Sequence, residues 1–193
     1  AINAKEIKKS EIGLDNSKKL VIIVGGSLGS SSMNEKLKDF LRLSRKSEYQ
    51  VLYITGKNYY DNFVSGARFS QNIKVLPYLD NLPGLMKNAS LIVTRAGAST
   101  ISEILALSLP AIFVPSPYVA NNHQFYNAKE IVDANAGLLI EEKDLDGKTL
   151  FNLVTDLLND KQKYEIMKMN LKNLGKTDSS DVIVQELKEL LNE

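Results

Sequence analysis

Three short segments carry residue types able to grip an anion and a sugar. The first is Gly25-Gly26-Ser27-Leu28-Gly29-Ser30. Glycines let backbone approach a ligand closely, and a helix that starts just after them presents free N–H donors with partial positive charge. Ser27 adds a hydroxyl. The spacing is neither the Gly-x-Gly-x-x-Gly of dinucleotide sites nor a Walker loop, which ends in Gly-Lys-Ser/Thr. A plain strand-to-helix turn uses the same glycines.

The second segment is Arg95-Ala96-Gly97-Ala98-Ser99-Thr100-Ile101-Ser102-Glu103. Here too small residues meet a helix start, so the backbone N–H groups of Ala98, Ser99 and Thr100 can face an anion. Glu103 lies one turn further in. A carboxylate has about four lone-pair sites, which suits the paired hydroxyls of a ribose. The competing reading makes Ser99 or Thr100 a helix cap and Glu103 the closing member of a capping box.

The third segment is Ala120-Asn121-Asn122-His123-Gln124-Phe125-Tyr126-Asn127-Ala128. Asn, Gln and His bind sugar hydroxyls without fixed charge. His123 is the only histidine, and a lone histidine at a helix start also serves as a hydrogen-bonded structural group. Asp144-Leu145-Asp146 has the Asp-x-Asp form that can hold a metal–diphosphate. Its neighbours Glu141, Glu142, Lys143 and Gly147 make it a solvated turn and helix cap instead. The sequence assigns no metal ligand, no cofactor and no catalytic residue.

All three segments follow short apolar runs. Leu20–Val24 is β-branched and apolar on both faces, as in a strand buried on both sides. Further strands are expected at 51–54, 73–76, 91–94, 111–114 and 137–140. Between them fall helices: one with Met33, Leu37, Phe40 and Leu41 on its buried face, then 82–87, 98–107 and 122–134. Strands joined by helical crossovers make an α/β fold, a Rossmann-like parallel sheet with helices on both faces. Helices at 146–159, 161–174 and 180–192 form a C-terminal helical tail over 146–193. The opening 1–19 reads as polar, helix-like and a lead-in from a preceding domain; 1–193 is kept as a single domain. In such sheets ligands sit beyond the carboxyl ends of the strands, where strand order reverses. That is where the three segments lie.

Composition bounds the rest. The 193 residues hold 24 basic and 23 acidic side chains, net +1, without the clustered basic face that nucleic acid needs. Absence of cysteine excludes disulfides and thiolate sites. The longest apolar run is far short of the ~20 residues of a membrane span, and no leader peptide is evident at the start.

Taken in order, the segments resemble the C-terminal domain of the MurG family, which transfers N-acetylglucosamine from UDP to lipid I to make lipid II. The matching residues are Gly25 to Gly29 with Asn34 behind them, Thr55-Gly56-Lys57, Tyr78-Leu79-Asp80-Asn81-Leu82, Arg95 to Glu103, Leu109-Pro110, His123-Gln124 and Asn127-Ala128. The resemblance spans about Leu20 to Leu145. It implies the C-terminal half of a GT-B glycosyltransferase, whose two Rossmann-like domains face a cleft. Position by position it implies Leu79 at the uracil through its backbone, with Tyr78 and Leu82 beside it, and Glu103 on the ribose. Ser27, flanked by Gly26 and Gly29, and the backbone of Ala98, Ser99 and Thr100 are implied to hold the diphosphate. His123 and Gln124 are implied to touch the N-acetylglucosamine.

The resemblance also implies UDP-N-acetylglucosamine as partner and an inverting, metal-independent transfer. Lipid I, the membrane-contacting patch and the catalytic base belong to the family's N-terminal domain, so this chain alone is expected to be inactive. The expected location is cytoplasmic, with the full-length protein peripheral on the inner membrane. Two other readings remain at this point: the donor half of another GT-B transferase, acting on a glycolipid or as half of a split enzyme, and a noncatalytic nucleotide-binding module.

Overall fold

The run Leu-Val-Ile-Ile-Val forms β1 (Leu20–Val24), and all five of its residues are buried. The same holds for β2 (Gln50–Ile54) and β4 (Leu91–Thr94). Strands lose both faces to the core only when helices cover both sides of a sheet. With β3 (Ile73–Leu76), β5 (Ala111–Phe113) and β6 (Leu138–Leu139) they make a six-stranded sheet in the order β3-β2-β1-β4-β5-β6. Every pairing is parallel. This is a computed structural model; it describes residues 1–26, 29–175 and 179–191, without the side chains of 179–183.

The helices are α1 (Ser31–Lys36), α2 (Lys38–Leu43), α3 (Tyr60–Val64), α4 (Leu82–Met86), α5 (Ala98–Leu107), α6 (His123–Asp133), α7 (Gly147–Asn159), α8 (Lys161–Leu174) and α9 (Ser179–Leu191). The single helix expected after β1 is two. Leu37, at φ −99° and ψ 3°, breaks the path between α1 and α2. Met33, Leu37, Phe40 and Leu41 are nevertheless all buried, so the apolar face survives the break. α3, between β2 and β3, is a helix in a stretch to which the sequence assigns no element.

The C-terminal helices belong partly to the layers. α7 buries Leu150, Val154, Leu157 and Leu158, a spacing that keeps them on one face. It lies against α2, where a Cβ on Gly147 would be driven into Phe40 N. α8 lies against α5. Gly175 ends it in an extended conformation, where a Cβ would lie only 2.8 Å from Leu105 O. Close approach, not a left-handed turn, is what requires glycine there. Asp146 caps α7: its Oδ1 accepts from Lys148 N (2.9 Å) and Thr149 N (2.8 Å), and its Oδ2 from the Thr149 hydroxyl. The Asp-x-Asp pair is thus the turn and cap its neighbours suggest.

The helix-like opening is corrected. Among residues 1–19 the one helical element is the 3-10 segment Lys9–Ile12. The remainder is a strap, because side chains of the body take the carbonyls a helix would use. Lys87 Nζ donates to Ile2 O and Ala4 O, Asn81 Nδ2 to Lys5 O, Asn88 Nδ2 to Ile7 O and Gln50 Nε2 to Asp15 O. The strap clasps α4, and Gly84 has no room for a Cβ beneath Lys5 O.

Candidate functional site

Register fixes where the loops emerge. Val24 of β1 pairs with Ile54 on one side and Thr94 on the other; Ile54 pairs with Leu76 and Thr94 with Phe113. The five carboxyl ends therefore form one row. The loops that leave them share a rim, and the order reverses between β1 and β4. That reversal is where an open α/β sheet leaves room for a ligand.

The first loop is held by what glycine permits. Gly26 and Gly29 stand at φ +93° and +78°, in the left-handed region that side chains resist. A Cβ on Gly29 would enter Thr55 O, so the loop rests directly on the turn after β2. Beneath it, Asn34 Nδ2 donates to Thr55 O (3.2 Å) and the Tyr53 hydroxyl donates to Asn34 Oδ1 (2.8 Å). Burial raises the Tyr53 pKa far above its ordinary value, so this donor stays protonated. Ser30 caps α1, its Oγ accepting from Met33 N at 3.3 Å. Ser27 lies outside the described residues.

The second loop behaves differently. Gly97 is the N-cap of the ten-residue α5, and among the described residues no side chain caps the helix. The first backbone bond to close is Ile101 N to Gly97 O, at 3.0 Å. Among the described residues nothing accepts from the N–H groups of Ala98, Ser99 and Thr100, which leaves the positive end of the helix dipole open to the rim. The capping-box alternative fails here, because Ser99 and Thr100 lie inside the helix and Glu103 makes no cap bond.

Arg95 joins the loops. Its Nη2 donates to Ser30 Oγ (2.8 Å), and its Nη1 to Val114 O (3.1 Å) and Pro115 O (3.2 Å). Glu142 Oε2 lies 2.5 Å from Nη1, with both side chains buried. That approach is ionic, since Oε2 accepts no aligned hydrogen bond. Asn127 Nδ2 adds a tie from α6 to Ala96 O (3.2 Å). Sequence reasoning gave Arg95 no role. The only available signal was an arginine directly after a buried strand, in a loop of otherwise small residues.

Two clefts open on this rim. The polar one, about 580 Å³, is lined by Gly25, Gly26, Gly29 and Ser30 from the first loop and by Gly97, Ser99 and Thr100 from the second. Ser116, Tyr118 and Gln124 close its third side. The other, about 290 Å³ and more apolar, is lined by Tyr78, Leu79, Leu82, Pro83 and Met86, with Glu103 as its acid beside Asp80. Gly26 and Thr100 border both, so the two are continuous. Lys57 Nζ sits 4.7 Å from the Tyr78 ring centroid and holds that ring by a cation–π contact.

Of the residues expected at the site, Gly26, Gly29, Tyr78, Leu79, Leu82, Ser99, Thr100, Glu103 and Gln124 line these clefts. Ala98 is exposed at the α5 start without bordering either. Gln124 Oε1 already accepts from Ser116 N (2.9 Å), which leaves its amide NH2 for a ligand. His123 departs from the group: it is exposed, lines neither cleft, and its Nδ1 lies 3.0 Å from Ala120 O. Asn121 and Asn122, both left-handed at φ 54° and 50°, set the start of α6 at this angle. Among the described residues no group of three or more His, Cys, Asp or Glu is placed to hold a metal ion. Nor is any helix long and apolar enough to cross a membrane.

A six-stranded doubly wound sheet with its cleft at the β1/β4 reversal places the chain among the Rossmann-like halves of GT-B glycosyltransferases. Residues 20–184 match the glycosyltransferase family 28 C-terminal domain, and the chain belongs to that family. It is 38% identical over 186 residues to the UDP-N-acetylglucosamine–N-acetylmuramyl-(pentapeptide) pyrophosphoryl-undecaprenol N-acetylglucosamine transferase of Bacillus cytotoxicus, covering 95% of this chain and 51% of that protein. The Lactobacillus delbrueckii enzyme of the same name is 36% identical, over 98% of this chain and 52% of its own. The crystal structure of Acinetobacter baumannii MurG superposes with a TM-score of 0.75 at 26% identity, covering 90% of this chain and 53% of that one. Spinosyn forosaminyltransferase SpnP reaches the same TM-score at 16% identity, a likeness of fold alone. The resemblance to the MurG family thus stands in both sequence and fold. The chain spans about half the length of the curated relatives it matches.

Proposed function

We propose that this chain holds UDP-N-acetylglucosamine as the donor half of a transferase that builds lipid II from lipid I. The observation that carries this reading is the meeting of two unlike clefts at Gly26 and Thr100. The apolar one suits a flat base against Tyr78, Leu79 and Leu82, with Glu103 facing the ribose hydroxyls. The polar one, under the α5 start, suits a diphosphate held by the N–H groups of Ala98, Ser99 and Thr100 and by the backbone around Gly26 and Gly29. Gln124, across the polar cleft, faces the sugar. His123 is off this line and acts on the sugar only if α6 turns inward.

In the transfer, the acceptor's C4 hydroxyl attacks the sugar's C1 from the face opposite UDP. The C1–O bond breaks, its electron pair leaves with UDP, and the proton passes to a base on the preceding half of the enzyme. Charge growing on the diphosphate is met by the α5 dipole and its open N–H donors, which are already oriented for it. Those groups supply electrostatic stabilisation, and the acceptor, the base and the membrane contact lie on the other half. On this reading the full-length protein works on the cytoplasmic face of the membrane that carries its lipid acceptor.

Titration calorimetry of the chain with UDP and UDP-N-acetylglucosamine tests the reading. Both are expected to bind and neither to be turned over. Glu103→Ala should weaken UDP by about 1–3 kcal/mol, the loss of charged hydrogen bonds to two hydroxyls. No heat with either ligand sinks the proposal and favours a noncatalytic module. Unchanged affinity in the variant moves the ribose elsewhere.

A further inference from the structure

The chain holds four arginines among its 24 basic residues. Arg95 is the buried one at the rim. The other three, Arg42, Arg45 and Arg68, line a single cleft of about 420 Å³ between α2 and residues 65–69. This cleft borders the chain leading into β2 and β3, so it lies at the amino ends of the strands, opposite the donor clefts. Lys38 adds a fourth cation. Asp39 is the one acid lining it among the described residues, and Arg42 already holds that carboxylate at 3.1 Å.

The floor is aromatic. Phe63 is 7% exposed and stacks on Phe69, ring centroids 6.4 Å apart and planes within 4°. Arg45 Nη2 donates to Arg68 O at 3.0 Å, which ties one guanidinium to the rim, and its other N–H groups make no hydrogen bond among the described residues. A guanidinium presents a planar fork that matches two phosphate oxygens, whereas an ammonium is a point charge. In a chain that uses lysine for nearly every cation, three arginines around one aromatic floor are a choice of chemistry, not merely of charge.

The geometry points to a second ligand site in this cleft, one that takes a phosphate ester: the phosphate between Arg42, Arg45 and Arg68, and an apolar or aromatic body against Phe69. A soluble phosphorylated molecule and a phospholipid headgroup both present that chemistry. The site is independent of the donor reading, since it shares no residue with the clefts at the opposite rim.

With only four arginines, the side-chain Nε–H spectrum is simple enough to read the site directly. The chain is titrated with phenyl phosphate and with inorganic phosphate in physiological salt, without UDP, which itself presents a phosphate ester. Phenyl phosphate is expected to move the Arg42, Arg45 and Arg68 signals saturably, to leave Arg95 in place, and to bind more tightly than inorganic phosphate. Arg45→Gln and Arg68→Gln should each weaken it about tenfold, with unchanged melting temperature marking intact folds. Vesicles of phosphatidylcholine with phosphatidylglycerol form the second arm. Broadening of the same three signals by vesicles, with no response to phenyl phosphate, assigns the phosphate to a lipid. If no probe moves the three signals, or if they drift without saturation alongside the lysines, the site does not exist. Failure of UDP to bind would count against the donor reading and leave this result standing.

Discussion

The two strand-to-helix junctions that flank the sheet's reversal look alike in sequence and differ in construction. Gly25–Ser30 leads into a six-residue helix whose first turn is already served by Ser30. Arg95–Gly97 leads into a ten-residue helix with no side-chain cap among the described residues. The first junction spends its glycines on its own geometry, two left-handed positions and a contact with Thr55 that admits no side chain. The second has a glycine with open space around it at an ordinary φ of −72°. On the proposed reading, the α5 start is then the main anion-binding end, and the described part of the first loop serves chiefly to shape the cleft. Arg95 couples them by donating to the Ser30 cap from the root of the second loop.

That coupling sets the largest expected effect. Arg95→Ala leaves Glu142 as a buried, unpaired carboxylate and frees three acceptors at once. Removing one partner of a buried pair costs about 3–5 kcal/mol, so chemical denaturation should show a loss of that size. The double variant Arg95→Met, Glu142→Gln should recover much of it. Equal stability of single and double variants would mean the ion pair does not hold the junctions together. Gly29→Ala comes next. A side chain at φ +78° costs on the order of 1–3 kcal/mol even in open space, and the approach to Thr55 O adds to that. Urea unfolding should place it well below wild type; a neutral result would mean the loop can leave the Thr55 turn freely.

The sheet was legible because strands buried on both faces leave unbroken apolar runs, and Leu20–Val24 could hardly be anything else. The rim followed, since parallel order sends every loop after a strand to the same side. What stayed hidden depended on single contacts between distant residues. α3 has five residues and one buried side chain, Phe63, too short for a period to show. The strap over α4 is held by Lys87, Asn81 and Asn88, whose partners lie some 80 positions away in the chain. His123 carried the right chemistry for a sugar, yet two left-handed asparagines before it turn the side chain toward Ala120 O. Nothing in the local pattern announces that conformation, because asparagine tolerates it without requiring it.

The smallest expected effect separates the junctions most cleanly. Gly97→Ser puts an N-cap hydroxyl on α5, at a residue whose extended φ/ψ already suits that role and where a Cβ meets nothing within 4 Å. The new oxygen would accept from Ser99 N or Thr100 N, as Ser30 does for α1. A serine cap exceeds glycine by only a few tenths of a kcal/mol, so the melting temperature should rise slightly or hold. The same bond removes a donor from the diphosphate and sets an oxygen lone pair against its charge, so UDP affinity should fall several-fold. Stability and binding then move in opposite directions, which no general damage to the fold can mimic. If UDP binds the variant as tightly as wild type, the open end of α5 is not where the phosphates rest, and the two junctions differ in shape without differing in use.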